Sequence, residues 1–106
     1  MPDTHVYVAV RADLPLAHQA VQAVHAGISS ARDFFPPDLI HPSLVLVTVP
    51  DEPSLLALQD RCNAAGVRTR VFVESDMQDA STALATEPIN GKGRRLFQKL
   101  PLFTGA

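Results

Sequence analysis

The chain has 106 residues, 46% of them apolar and 19% charged, with a formal net charge of −2. That length suits one domain, spanning residues 1–106, and leaves no room for two. No apolar run approaches the ~20 residues needed to cross a bilayer, so no membrane partner is expected. The slight acidic excess argues against a protein that coats nucleic acid through bulk charge.

Met1 to Val10 lacks the basic segment and long apolar core of a secretory leader, so a cytoplasmic location is expected. Cys62 is the only cysteine, which leaves no internal disulfide to form.

Val6 to Arg11 reads as the first strand, with apolar residues on both alternating sets, as in a strand covered on two faces. Asp13 is placed to cap the helix that follows, and Pro15 suits its first turn. That helix is expected to run to about Asp33, where the Phe-Phe-Pro-Pro run ends it. Ala17, Ala20, Val21, Val24, Ile28 and Ala31 share the helical period and form an apolar stripe. His18, Gln22, His25 and Ser29 form a second stripe that is polar but carries no formal charge. Such a stripe suggests partial burial, a pocket wall or a partner.

Ser43 to Val49 is the second strand, and its nearly uniform apolar run predicts a place in the middle of the sheet. Asp51 is the expected N-cap of a second helix. Leu55, Leu58, Cys62 and Ala65 share one face of it, and Gly66 is its natural terminator. Cys62 reads as a small buried hydrophobe. Val67 to Glu74 is the third strand. Asp76 to Asp79 is a turn, and Ala80 to Thr86 returns as a fourth strand in a hairpin. Asn90 to Lys99 reads as a last short helix, although Gly91 and Gly93 disfavour it.

The order is β-α-β-α-β-β-α. It predicts an α/β fold: a three-layer α/β/α domain with a parallel core, right-handed crossovers and one antiparallel strand, making a mixed four-stranded sheet.

The chain contains no Cys-x-x-Cys, no glycine-rich dinucleotide fingerprint and no Gly-x-Ser-x-Gly. His18 and His25 are seven residues apart, about 10 Å along a helix, which is too far to share one zinc. No metal or cofactor is therefore expected. His18 stands near the C-terminal edge of the first strand, where ligands collect in open α/β sheets. The turn after the third strand lies at the same edge. His18, Asp76 and the hydroxyls of Ser81 and Thr82 could converge there, with His18 as a base and Asp76 orienting it or activating water. The plainer alternative makes His18 an exposed helix-start residue and His25 a structural one. From Pro88 onward Lys92, Arg94, Arg95 and Lys99 occur with no carboxylate side chain. They form either a solvated face or an anion-binding patch.

Val8 to Leu14, ending in Arg-Ala-Asp-Leu, followed by Gln22-Ala-Val-His25-Ala26, resembles the opening of the type II peptidyl-tRNA hydrolase family. Val49-Pro-Asp-Glu-Pro with Ala65-Gly66, and the closing Leu96-Phe-Gln-Lys-Leu-Pro-Leu-Phe103, resemble its middle and end. The resemblance implies a compact α/β domain, commonly dimeric, that cleaves the ester joining a peptide to tRNA.

It also implies roles. Arg11, Gln22, His25, Lys92, Arg94, Arg95 and Lys99 would bind substrate. His18 would be base or phosphate contact, Asp76 would position water, and Thr82 or Ser81 would donate to the substrate carbonyl. The departures are specific. His18 stands where the family has a functional Lys, the segment after the third strand is shorter, and the family's first Thr has no counterpart. Either Asp76 or Ser75 aligns with the motif Asp. These features are closest to a divergent branch of the family. They leave three expectations: a tRNA-linked esterase, a non-catalytic tRNA- or protein-binding module, or a hydrolase of another small ester or amide.

Overall fold

The computed structural model describes residues 4–105. Six regular elements follow one another: β1 (His5–Arg11), α1 (Leu16–Phe34), β2 (Ser43–Val49), α2 (Glu52–Ala64), β3 (Thr69–Glu74) and β4 (Ala80–Thr86). Two 3-10 segments, Ser75–Met77 and Gly91–Phe97, complete the chain. The second replaces the expected last α-helix. Gly91 sits at φ +57° and Gly93 interrupts the run, and glycine resists helix propagation.

The sheet is mixed and four-stranded, in the order β2-β1-β4-β3. β1 and β2 are parallel in unbroken register from His5–Ser43 to Arg11–Val49. β4 is antiparallel to both β1 and β3. The predicted parallel core is thus a single pair, because β4 inserts between β1 and β3. β4 is suited to the centre: Thr82, Ala83, Leu84, Ala85 and Thr86 are all buried, and most are small. Small side chains let a helix approach from each side.

β2 therefore lies at an edge and not in the middle, despite its apolar run. Half of its outer rim is covered by the tail. Thr48 N–H donates to Pro101 O at 2.9 Å, and Phe103 N–H donates to Leu46 O at 2.9 Å. Leu44, beyond the tail's reach, is 71% exposed.

Strand alternation sorts the core into two layers. On one face Val6, Val8, Val10, Ala83 and Ala85 meet Ala23 and Ala26 of α1. On the other, Tyr7, Ala9, Val47, Val49 and Leu84 meet Leu55, Leu58 and Cys62 of α2, with Phe97 of the 3-10 segment. α2 behaves as the sequence predicts. Asp51 Oδ1 accepts from Ser54 N–H at 2.9 Å, Gly66 takes φ +76°, and Val67 N–H closes the end on Cys62 O. Burial of Leu55 and Leu58 contributes about 1.5–3 kcal/mol each. Ala65, the fourth residue of the predicted face, is exposed at the cap.

α1 is rotated from expectation. Its buried residues are Gln19, Gln22, Ala23, Ala26 and Ser30. The apolar stripe points outward, with Val24 61% and Ile28 60% exposed. The cause lies in β4. A helix over Ala83 and Ala85 approaches closely only through small residues, and Ser30 Oγ reaches the strand itself, donating to Thr86 O at 2.6 Å. Asp13 does not cap α1, which has no side-chain cap bond. Instead it grips Arg11, and Gln19 Nε2 ties the β1–α1 turn by donating to Leu14 O at 2.7 Å.

Candidate functional site

The site follows from how α1 crosses β3. Phe72 and Glu74, two residues apart on β3, both face α1. The polar stripe of α1 lies opposite them. Gln22 Nε2 donates to Glu74 Oε2 at 2.9 Å, and the His25 ring stacks on Phe72 at 4.3 Å with planes 6° apart. His18 stands one turn before Gln22, exposed to solvent.

Glu74 is held ionised. The Gln22 amide pulls its pKa below the ordinary value of 4.5, the Asp76 backbone N–H adds to this, and His25 and His18 contribute electrostatically. Gln22 is only 4% exposed; it holds Glu74 through its amide N–H, and its buried Oε1 has no partner among the described residues.

The remaining sequence-predicted residues separate. Asp76 is exposed; its N–H donates to Glu74 Oε1 at 3.2 Å, and its carboxylate has no partner among the described residues. Thr82 is fully buried. It is the extra residue at the β3–β4 irregularity beside Phe72 and Val73, and its hydroxyl donates to Phe72 O at 3.2 Å. That hydroxyl is committed to the backbone. Ser81 sits by α2, where its N–H donates to Glu52 Oε2 at 2.7 Å.

Arg11 is clasped by Asp13 through two bonds, at 2.9 and 3.0 Å, and donates a third to Ser81 O. Its charge is already matched. Lys92, Arg94, Arg95 and Lys99 lie in or beside the Gly91–Phe97 segment, on the α2 side of the sheet. The sheet therefore divides the expected constellation. His18, Gln22 and His25 occupy one face, and the basic residues with Arg11 occupy the other. Among the described residues no group of three or more His, Cys, Asp or Glu is placed to hold a metal ion.

Glu74 is the functional candidate that motif comparison passes over. Strand alternation alone could have found it, since Glu74 shares the helix-facing parity of Phe72.

No family model and no curated protein matches this chain. Among solved structures, a protein of unknown function from Agrobacterium tumefaciens is similar, with a TM-score of 0.74 at 13% identity, covering 98% of this chain and all of that one. The likeness establishes a shared fold.

Proposed function

We propose that this domain is a peptidyl-tRNA hydrolase-like esterase acting on N-acylated aminoacyl-tRNA, with the α1–β3 surface as its active centre. The observation that carries the reading is the Gln22–Glu74 pair with His18 and His25 beside it. The fixed Glu74 carboxylate supplies negative charge beside the imidazoles, placed to balance the positive charge that develops as a proton is taken from water. Neutral His18 takes a proton from water as the water oxygen bonds to the acyl carbon. The bond from that carbon to the ribose oxygen then breaks, and His18 returns the proton to the leaving oxygen. Gln22 holds Glu74 in place, and Phe72 holds the His25 ring as a flat wall.

A second reading, a non-catalytic binding module of the same fold, is favoured by the buried Thr82 hydroxyl and by the basic residues lying across the sheet. One assay separates the two. The protein is incubated with N-blocked aminoacyl-tRNA alongside a His18→Ala variant, and ester cleavage is followed. Cleavage reduced in the variant supports the esterase. Binding without cleavage supports the module, and equal rates remove His18 from the mechanism.

The partner on the apolar side is a second copy of this chain. From Leu16 to Ala31, α1 has no Lys, Arg, Asp or Glu. Val24 and Ile28 flank a groove of about 490 Å³ that Phe35, Ile40, Leu44 and Leu46 also line. A two-fold axis sets like against like, and this stripe meets its own copy with no charge conflict.

A further inference from the structure

We propose that a second cavity, on the α2 side of the sheet, binds a small organic anion with an apolar body. The cavity has a volume of about 530 Å³ and is lined by Tyr7, Val45, Val47, Arg94, Arg95 and Leu102, among others. That size falls within the roughly 300–1,000 Å³ of small-molecule sites. It opens beside β2 where α2 does not reach.

Its two halves differ in chemistry. The floor is apolar and partly aromatic: Tyr7 is 6% exposed, and its ring stacks on Phe97 at 4.4 Å. The rim is cationic. Arg94 Nε donates to the Tyr7 hydroxyl at 3.0 Å, which orients the guanidinium, and its two terminal nitrogens have no partner among the described residues. Arg95 stands beside it, and Gln98 adds an amide.

Among the described residues no acid lines this cavity, and residues 88–105 contain no carboxylate side chain. Of the five other arginines four pair with acids, Arg11 with Asp13, Arg32 and Arg70 with Asp33, and Arg68 with Glu87, while Arg61 has no such pair among the described residues. Arg94 and Arg95 have no carboxylate partner among the described residues. Both side chains line the one cavity, and an anion there would meet them through charge-assisted bonds. The apolar floor then takes the rest of the ligand. The anionic group is a carboxylate or a phosphate monoester, which guanidinium accepts with the same paired geometry. The site lies across the sheet from Glu74 and His18 and does not depend on the esterase reading.

The test is calorimetric titration of the full chain with naphthoate, naphthyl phosphate and the uncharged naphthamide. Both anions are expected to bind, and the amide at least ~10-fold more weakly. The tighter of the two anions identifies the natural head group. Arg95→Gln, at an exposed position, is expected to weaken anion binding by ~10-fold with an unchanged melting temperature. Arg94→Gln is expected to do the same, and Ile28→Ser in the opposite groove to have no effect. NMR shifts should fall on Tyr7, Phe97 and Leu102. Absence of anion binding at millimolar concentration, equal affinity for the amide, insensitivity to Arg95→Gln, or shifts at Val24 and Leu44 would each overturn the proposal.

Discussion

The orientation of α1 brings His18, Gln22 and His25 to the proposed active centre, and two substitutions whose order of cost reverses with that orientation test it. Ala26 is fully buried against the layer that holds Ala83 and Ala85. Leucine there forces extra methylenes into a closed contact, which costs about 1–3 kcal/mol or more. For a domain of this size each kcal/mol lowers the melting temperature by roughly 4–8 °C, so Ala26→Leu is expected to lower it by about 4–24 °C. Val24 is 61% exposed, and Val24→Ser is expected to stay within about 0.5 kcal/mol. Both are measured by thermal and urea unfolding in dilute protein, where self-association adds nothing. With Val24 and Ile28 turned inward, as hydrophobic periodicity alone predicts, the order reverses. Val24→Ser would then cost about 1.5–3 kcal/mol in lost burial, and Ala26→Leu would be nearly neutral. That reversed order would refute the orientation and the Gln22–Glu74 pair with it.

Three further outcomes are expected. Glu74, Glu87, Asp33 and Asp51 all have folded-state pKa values below their ordinary 4.5 or 3.8. Between the ordinary and the lowered values the unfolded chain binds more protons, so their stabilisation is present above the ordinary values and is lost as the pH falls through the lowered ones. Glu74→Gln should flatten part of that decline in melting temperature against pH. Burial pushes the Cys62 thiol up to about 11, so at neutral pH iodoacetamide should modify it only once urea unfolds the chain, a difference read by mass spectrometry. Val24→Lys and Ile28→Glu should convert a dimer to a monomer in light scattering without loss of helicity. A monomeric parent protein at ~100 μM would contradict the two-fold contact, since stable homodimers with standard interfaces associate well below that concentration.

The sequence made α2 and the strands legible because their signals are local. Asp51, Gly66 and the Leu55–Leu58–Cys62 spacing mark a helix whose bulky residues face inward. The layer composition and the hairpin also follow from local pattern. Two features escaped for one physical reason. Apart from Leu84, β4 is built from Ala, Ser and Thr, so it looks weak as a strand, yet small residues are what the centre of this sheet requires. Once β4 occupies the centre, the bulky β2 moves to the edge and α1 must dock through Ala and Ser. A periodicity that counts only large apolar residues then selects the wrong face.

The site was legible in part. The polar stripe of α1 was visible as a stripe, and it does face a functional surface candidate. Its partner, Glu74, was not visible, because family comparison drew attention to the next turn and to Asp76. Nor could composition reveal that the basic segment lies across the sheet. That separation depends on where Phe97 packs, which is a tertiary fact.

The most direct measurement is ester cleavage of N-blocked aminoacyl-tRNA by Glu74→Gln and by Asp76→Asn, each against the parent protein. Loss of the carboxylate that supports the base is expected to slow cleavage by ~100-fold at Glu74 and by less than ~3-fold at Asp76. Full activity in Glu74→Gln, with the loss at Asp76 instead, would contradict the assignment of the active centre to the α1–β3 surface.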